Sequence, residues 1–332
     1  MLKLLVAEST GFPPEALALL CNLGPVQLAD VQPEELPEAI GDAEVLWVRL
    51  RHRIDGALMD RAPRLKWIAT PTTGLNHIDL AAAAERDIQV VCLRGRQDFL
   101  KDIRATAEMT VLLMLALLRR LPAATAHVHE GGWNRDLFRG GELFGRTVGI
   151  VGYGRLGRIV GGYLNAFGSR VLAADVRPVE TEPNIQLVHL EELLAQADIV
   201  SLHASYAPEN HSFWNRSCFE RMKPGSLFVN TARGELVDES ALLQALENGR
   251  LAGAALDVVS NEPPLGPEHP LIAFSRRDSR LLITPHIGGG TFESLRKTEI
   301  FLAEVLLDTV ASAPARANQS EMKTTLCVAS QQ

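Results

Sequence analysis

A glycine-rich turn between an apolar strand and a helix is the feature that most constrains this fold. The apolar run 147–151 leads directly into Gly152, Gly154 and Gly157, which fit the pattern G-x-G-x-x-G. In this pattern the first glycine permits a tight turn, the second lets a pyrophosphate approach the backbone, and the third lets helix and strand pack closely. Because the first amide groups of a helix have no partners within it, such a turn favours an anion.

The residues after this turn complete the pattern of a nucleotide-binding βαβ unit. An amphipathic stretch follows Gly157, and a second apolar strand, 171–174, ends at Asp175. This acid lies at about the separation (~20 residues) expected for a side chain that binds the adenosine ribose. A carboxylate there accepts hydrogen bonds from the ribose hydroxyls and repels a 2′-phosphate, which favours NAD over NADP. The nearby Arg177 would weaken that preference, and Asp175 could alternatively be an ordinary turn residue.

Composition excludes several other classes of protein. The chain has 332 residues with a formal net charge of −7, so no global basic field recruits nucleic acid. Its four cysteines are far apart, without a C-x-x-C pair, and predict neither a metal site nor a disulfide framework. The apolar N-terminus is too short for a signal peptide, and the longest apolar run is too short to span a bilayer. We therefore expect a cytoplasmic protein without a membrane segment.

Short apolar strands alternate with helical patterns along the chain, which predicts parallel sheets covered on both faces. Residues 1–104 form one such α/β segment without a glycine phosphate turn, and a long apolar helix follows, ending before Pro122. The polar, glycine-rich segment 127–145 is predicted to be a loop or arm. The helical pattern after Gly288 has nowhere obvious to pack in the second sheet, so we expect it to return to the first domain.

The prediction is therefore two doubly wound α/β domains. A Rossmann NAD-binding domain at 105–287 is inserted in a discontinuous substrate domain formed by 1–104 and 288–332. The tail from Ala313 is polar and is expected to be poorly ordered.

Charged side chains follow three later strands of the second domain at their carboxyl ends. They are Arg233 after one strand, Asp257 and Glu262 after the next, and His286 after the last. Because ligands of doubly wound sheets bind outside the carboxyl ends of the strands, we expect these side chains to border a bound nicotinamide. His203, which follows another strand, is expected to border the cofactor as well.

This set of residues suits hydride transfer to a 2-oxo acid. Arg233 could hold the substrate carboxylate through two hydrogen bonds. A protonated His286 could donate to the carbonyl oxygen as negative charge develops there, and Glu262 could orient that imidazole. Asp257 could hold the nicotinamide carboxamide. Taken singly, Arg233, Glu262 and His286 are each more readily explained as ordinary strand-end, loop or structural residues, whereas together on one edge they indicate an active site.

The chain resembles the D-isomer-specific 2-hydroxyacid dehydrogenase family over about residues 40–305. The resemblance rests on four spaced motifs, namely the glycine turn 145–157, Asn230-Thr231-Ala232-Arg233-Gly234, Ala255-Leu256-Asp257-Val258 with Glu262-Pro263, and Thr284-Pro285-His286-Ile287-Gly288-Gly289. It implies Arg233, Glu262 and His286 as the catalytic residues, a flavodoxin-like catalytic domain and a homodimer joined through the cofactor domains. On the same motifs we assign further cofactor-binding roles to Arg155, Leu156, Thr231 and Ala232.

Two parts of the first domain depart from the family pattern. The substrate loop reads Thr72-Thr73-Gly74 where a glycine-rich loop is usual, although the amides of Thr73 and Gly74 can still bind a carboxylate. The segment 93–103 is longer than usual and basic, and Arg51 follows another strand of this domain. The basic residues in and beside this segment are Arg94, Arg96, Lys101 and Arg104. They predict either a substrate with a second negative group, such as a phosphate, or a solvated basic face.

We therefore expect an NAD-dependent oxidoreductase, without a metal, that interconverts a D-2-hydroxy acid and a 2-oxo acid. One alternative is an NAD-sensing binding protein like the C-terminal-binding corepressors, which share this fold. Another is a dehydrogenase of the phosphite or formate type, which only substrate assays separate from the leading hypothesis.

Overall fold

The computed structural model describes residues 1–262 and 265–312, so the polar tail from Ala313 lies outside the described residues. The strands are β1 (Leu4–Val6), β2 (Val26–Leu28), β3 (Val45–Trp47), β4 (Trp67–Thr70), β5 (Gln89–Cys92), β6 (Thr147–Val151), β7 (Arg170–Ala174), β8 (Ile185–Leu187), β9 (Ile199–Leu202), β10 (Ser226–Asn230), β11 (Leu251–Leu256) and β12 (Leu281–Ile283). The α-helices are α1 (Pro14–Leu20), α2 (Leu36–Ala39), α3 (Gly56–Asp60), α4 (Leu80–Glu85), α5 (Gln97–Leu100), α6 (Ala105–Leu118), α7 (Leu121–His129), α8 (Arg155–Ala166), α9 (Leu190–Gln196), α10 (Arg216–Arg221), α11 (Glu239–Glu247), α12 (Pro270–Arg277) and α13 (Phe292–Ser312).

The chain folds as two compact units, Met1–Asp102 with the segment from Phe292, and Ile103–Thr291. The first unit contains a parallel sheet of order β2-β1-β3-β4-β5, the flavodoxin-like order. Helix α13 belongs to this unit. Its fully buried Glu299 accepts a hydrogen bond from Trp47 Nε1 (2.7 Å), and Phe301 stacks on Phe99 with ring centroids 3.9 Å apart.

The second unit contains a seven-stranded sheet of order β12-β11-β10-β9-β6-β7-β8, again with parallel neighbours. The order reverses between β6 and β9, which is the topology of a Rossmann fold and its switch point. A buried aromatic cluster packs against β10, in which Trp214 stacks on Phe228 of that strand with 5.3 Å between the ring centroids. The predicted fold class of two doubly wound parallel sheets is therefore confirmed.

The loop or arm predicted at 127–145 begins later than expected, because a second helix, α7 (Leu121–His129), includes its first residues. Arg120 adopts a left-handed conformation (φ +51°), and Pro122 then lies in the first turn of α7. Proline is tolerated at that position because the first amides of a helix make no intrahelical hydrogen bond. Within residues 1–262 and 265–312, no single helix is long and apolar enough to cross a membrane. Helices α6 and α7 would pass together by length and composition, but they are bent by 63°.

Candidate active site

The glycine turn between β6 and α8 has the geometry of a phosphate-binding turn. Gly152 has φ +91°, and a side chain there would collide with the backbone of Ala204, 2.6 Å from its nitrogen. A side chain on Gly157 would lie 2.4 Å from the carbonyl oxygen of Gly152. At Gly154, by contrast, an added Cβ would meet only Arg177 Nη2, at 3.8 Å. The backbone thus leaves no room for a side chain at Gly152 or Gly157, whereas Gly154 has free space where a pyrophosphate would approach. This arrangement fits a dinucleotide.

Asp175 lies at the end of β7, and its carboxylate is oriented by its neighbours. The backbone amide of Tyr153 donates to Oδ2 (2.9 Å), and the amide of Arg177 donates to Oδ1 (2.9 Å). The Arg177 guanidinium pairs with the same carboxylate. Burial acts to raise the pKa of Asp175, but the hydrogen bonds from Arg177 and Tyr153 outweigh it and hold the pKa below its usual value. The carboxylate is therefore charged and joined directly to the glycine turn.

His203 follows β9 and lies against the glycine turn. A side chain on Gly152 would come within 2.7 Å of the carbonyl carbon of His203, and the imidazole Nε2 lies 2.9 Å from Ser201 Oγ. Burial lowers the pKa of His203 to about 4, so the ring is neutral at physiological pH. This location at the switch point is compatible with the predicted cofactor contact, which stays a prediction.

Two other predicted cofactor residues are anchored inside the second unit. The Arg155 guanidinium donates to the carbonyl oxygen of Ile103 (3.0 Å), and burial lowers its pKa. Leu156 packs at the border of the apolar core under β6. Both lie in the first turn of α8, where the amide groups that would meet a phosphate are found.

The end of β10 builds a compact turn that presents Arg233. The buried Asn230 accepts a hydrogen bond from the amide of Ala232 (2.9 Å) and donates to the carbonyl oxygen of Arg233 (2.8 Å). Thr231 Oγ1 lies 2.8 Å from Thr110 Oγ1 on α6, so this turn is also held from the side. The sequence analysis did not identify these two hydrogen bonds of the Asn230 side chain, although asparagine at a strand end often supports such a turn.

His286 and Glu262 are hydrogen-bonded to each other through His286 Nδ1 and Glu262 Oε1. The other carboxylate oxygen of Glu262 accepts from the amide of Val259 (3.2 Å), so the acid is oriented by backbone. His286 itself has φ +53°, a conformation that non-glycine residues rarely adopt and that clusters at functional sites. Because Nδ1 is bonded to Glu262, Nε2 is the ring nitrogen that can donate a proton.

Asp257 holds the loop that carries His286. Its buried carboxylate accepts hydrogen bonds from Thr284 Oγ1 (2.6 Å), the amide of Ile287 (3.0 Å) and the amide of Gly288 (2.7 Å). Burial raises the pKa of Asp257, although these three donors oppose the rise. The contact with the nicotinamide carboxamide stays a prediction, and the structure adds this positioning role, which the sequence analysis did not identify.

Direct contacts join these strand ends into one cluster. The turn after Arg233 packs on the turn before Glu262 so closely that a side chain on Gly234 would lie 2.1 Å from the carbonyl carbon of Val259. The amide of Val259 donates to Glu262, and Glu262 contacts His286. Since β10, β11 and β12 are adjacent, their carboxyl ends carry an arginine, an acid and a histidine at one edge of the sheet.

The predicted substrate residues of the first unit are in different environments. Thr73 and Gly74 lie in the loop after β4, and Arg94 Nε donates to the carbonyl oxygen of Thr73 (3.3 Å). Arg51 instead pairs with Asp30 (2.9 Å) and donates to the carbonyl oxygen of Val31. Of the basic residues considered for a second anion, Arg94 therefore lies beside the predicted carboxylate loop, while Arg51 is already paired with an acid.

The neighbouring Arg49 is also paired internally, with Glu299 of α13 (2.6 Å). Burial raises the pKa of Glu299, and the Arg49 guanidinium opposes that rise. No group of three His, Cys, Asp or Glu side chains within residues 1–262 and 265–312 could hold a metal ion.

Comparison with known proteins identifies the family. Residues 111–288 match the D-isomer specific 2-hydroxyacid dehydrogenase, NAD binding domain. The chain belongs to the D-isomer specific 2-hydroxyacid dehydrogenase family. The predicted resemblance is thereby confirmed, and so is NAD as the cofactor of this domain. The predicted enzyme class, an NAD-dependent oxidoreductase acting on a hydroxy acid, agrees with this membership.

Relatives in this family have several names. The chain is 37% identical over 300 residues to a glyoxylate reductase of Thermofilum pendens, covering 87% of this chain and 86% of the relative. It is 36% identical over 274 residues to the D-3-phosphoglycerate dehydrogenase of Mycobacterium tuberculosis, covering 82% of this chain. This chain spans only about half of that dehydrogenase (50%).

A solved structure of similar fold is D-lactate dehydrogenase from Aquifex aeolicus, complexed with NAD and lactic acid. Its TM-score is 0.81 at 28% identity, and the match covers 95% of this chain and 97% of that one.

Proposed function

We propose that this protein is an NAD-dependent dehydrogenase that interconverts a D-2-hydroxy acid and a 2-oxo acid. The observation that carries the proposal is the His286–Glu262 pair, which lies at the strand ends of the NAD-binding domain and is linked through Val259 to the turn of Arg233. The same pair favours an enzyme over an NAD-sensing binding protein, because a protein that only binds NAD needs no oriented proton donor.

Each of the three side chains has a distinct role in the reductive direction. Bound NADH supplies the hydride that is added to the carbonyl carbon. Arg233 holds the substrate carboxylate, since a planar guanidinium matches a carboxylate through two parallel hydrogen bonds. His286 donates a proton from Nε2 to the carbonyl oxygen as negative charge develops on it, and Glu262 keeps the ring in the orientation that this step requires.

The first unit is proposed to contribute substrate recognition. The amides of Thr73 and Gly74 are suited to bind a carboxylate, and Arg94 is the basic side chain bonded to that loop. Arg51 and Arg49 are paired with Asp30 and Glu299, which argues against a phosphate site built from these two arginines. We propose that any second anionic group of the substrate is recognised by Arg94.

The test of the function is NADH oxidation with a panel of 2-oxo acids, phosphorylated and unphosphorylated. Arg233→Ala and His286→Ala should each reduce kcat/KM by about 10²–10⁴-fold, the range expected for loss of a general acid or a charged anchor. Arg216→Ala, on the exposed face of α10, is the matched control and should retain activity. Full activity of either active-site variant would contradict the assigned roles.

Arg94→Ala separates the substrate classes in the same panel. We expect a loss of about tenfold or more in kcat/KM for oxo acids with a second anionic group, because one charge-assisted hydrogen bond is lost. Oxo acids with a single carboxylate should be unaffected. An equal loss for both classes would contradict a role for Arg94 in recognising a second charge.

We also propose a homodimer joined through the NAD-binding unit, in a cytoplasmic setting without nucleic-acid or membrane partners. The arm after α6 exposes large apolar side chains, with Trp133 90%, Phe144 74% and Leu121 50% exposed. Such apolar exposure is typical of an interaction surface. Light scattering should give the mass of a dimer, and Trp133→Glu should shift the mass toward the monomer. Cell fractionation tests the location.

A further inference from the structure

We propose that Glu239, the first residue of α11, is a positioning residue for Glu262, because it fixes the turn 259–262 in which Glu262 is oriented toward His286. This role rests on the proposed function, since Glu239 acts on the reaction only through the acid of the His286–Glu262 pair. All of the contacts that support it lie within the NAD-binding unit.

The orientation of Glu262 depends on a tight turn of the backbone. Asn261, immediately before it, has φ +61°, a left-handed conformation that asparagine tolerates better than most residues. The turn brings the Glu262 side chain back to the amide of Val259, which donates to Oε2 (3.2 Å), while Oε1 meets His286 Nδ1. A shift of this backbone would therefore move the acid relative to the imidazole.

Glu239 binds the next amide of the same turn. Its carboxylate Oε1 accepts a hydrogen bond from the Ser260 amide at 2.7 Å, at the short end of the usual range for such bonds. Two consecutive amides of this turn thus donate to two different glutamates. The bond to Glu262 is internal to the turn, whereas the bond to Glu239 ties the turn to a helix.

Helix α11 is a fixed support for the Glu239 side chain. The Asp238 carboxylate caps the helix by accepting a hydrogen bond from the Ala241 amide (3.0 Å), and Leu242 is fully buried in the core of this unit. The first turn of the helix, which carries Glu239, is therefore held both at its cap and on its inner face.

The second carboxylate oxygen of Glu239 faces the start of α12. Oε2 lies 3.6 Å from Nε2 of His269, the residue before that helix, and the Glu239 side chain is 21% exposed. Burial raises the pKa of Glu239, whereas the Ser260 amide and His269 act to lower it. A carboxylate with a backbone donor on one oxygen and an imidazole beside the other is restricted in position.

The turn of Arg233 touches the same peptide group but has supports of its own. A side chain on Gly234 would lie 2.2 Å from the Ser260 nitrogen, so the two turns are in contact. Asn230 holds the turn of Arg233 through two hydrogen bonds that do not involve Glu239. Loss of the Glu239 carboxylate should therefore disturb proton transfer more than binding of the substrate carboxylate.

Steady-state kinetics with NADH and the most active 2-oxo acid test this role. We expect Glu239→Ala to lower kcat by about 10–100-fold, because a small displacement of an oriented group slows the reaction, and to change KM by less than about twofold. Glu239→Gln should retain kcat within about threefold, since its amide oxygen can still accept from Ser260. The matched control is Glu247→Ala at the other end of α11, where Glu247 pairs with Arg277 of α12 (3.2 Å). It should behave as the wild type.

A double variant shows whether Glu239 acts through Glu262. In a Glu262→Ala background, Glu239→Ala should lower kcat by less than about a further twofold, because the group that it positions is already absent. Thermal unfolding shows whether each variant is folded. If Glu239→Ala is not, Glu239→Asp takes its place and should show the same loss of kcat, because its carboxylate is one methylene short of the Ser260 amide.

Proton NMR of the free protein gives a readout that needs no turnover. The Nδ1 proton of His286, assigned by its absence in His286→Ala, should shift or disappear in Glu239→Ala and stay unchanged in Glu239→Gln and Glu247→Ala. An unchanged resonance in Glu239→Ala, a wild-type kcat in that variant, or an additive loss in the double variant would overturn this role. If the wild type turns over no oxo acid while the resonance responds as described, the proposed function fails and the positioning of Glu262 by Glu239 stands.

Discussion

Replacing Asp257 by asparagine tests whether the Asp257 carboxylate positions the loop that carries His286. The Asp257 carboxylate is the shared acceptor for Thr284 Oγ1, the amide of Ile287 and the amide of Gly288. Asparagine has the same shape, and its oxygen can keep the contacts with Thr284 and Ile287. Its amide nitrogen would then face the Gly288 amide, so that two donors meet where a donor now meets a charged acceptor.

The expected cost follows from these three contacts. Losing the Gly288 bond costs about 1.5–3 kcal/mol, the usual range for a hydrogen bond to a charged group, and the other two lose their charge assistance. The removal of a buried charge offsets part of this, because burial raises the pKa of Asp257 and so disfavours its ionised form. We therefore expect Asp257→Asn to lower the free energy of unfolding by about 2–4 kcal/mol.

Activity should fall as well, because His286 depends on this loop for its φ of +53°. A loss of about tenfold in kcat corresponds to about 1.4 kcal/mol of transition-state stabilisation. Urea denaturation and steady-state kinetics measure the two effects. The control is Asp238→Asn. It alters the cap of α11, where the Asp238 carboxylate accepts a hydrogen bond from the Ala241 amide (3.0 Å), and should leave kcat unchanged. Wild-type stability together with unchanged kcat in Asp257→Asn would refute the argument.

Three further predictions concern the glycine turn and titration. Gly154→Ala should fold normally but bind NADH at least about tenfold more weakly by calorimetry, because the added Cβ would occupy the space predicted for the pyrophosphate. Gly157→Ala should instead lower the free energy of unfolding in urea by about 1–3 kcal/mol, because its Cβ would lie 2.4 Å from the carbonyl oxygen of Gly152. Burial lowers the pKa of His52 below 6.5 in the folded protein. As the pH falls through 6.5, the unfolded chain therefore protonates His52 before the folded chain does, and the free energy of unfolding decreases. His52→Leu should reduce the difference in unfolding free energy between about pH 8 and pH 5.5. Lys66 lowers the pKa of Glu44 below 4.5, so Lys66→Met should cost about 0.5–1 kcal/mol at neutral pH and nothing in acid, well below pH 4.5.

The features predicted from sequence are those encoded by neighbouring residues. The glycine turn follows from the spacing of Gly152, Gly154 and Gly157, and the strand ends follow from apolar runs that stop at charged residues. Helix α7 was missed because Pro122 was interpreted as ending a helix, whereas the left-handed Arg120 lets a second helix begin there.

The contacts that could not be predicted join residues far apart in the chain. Nothing local to Arg49 indicates Glu299 as its partner, and nothing local to Arg51 indicates Asp30. The positioning role of Asp257 was hidden for the same reason, because it depends on how the turn after β12 folds back onto the end of β11. Sequence patterns therefore brought out the candidate site residues but not the pairs that restrict or orient them.

The most direct test of the central claim is the stereochemistry of oxidation with NAD⁺. The protein is incubated with the separate D and L enantiomers of 2-hydroxy acids, and NADH formation is followed. We predict NADH formation from a D enantiomer, loss of that activity by about 10²-fold or more in His286→Ala, and no NADH from its L counterpart. Oxidation of the L enantiomer, or D activity that survives in His286→Ala, would contradict the account.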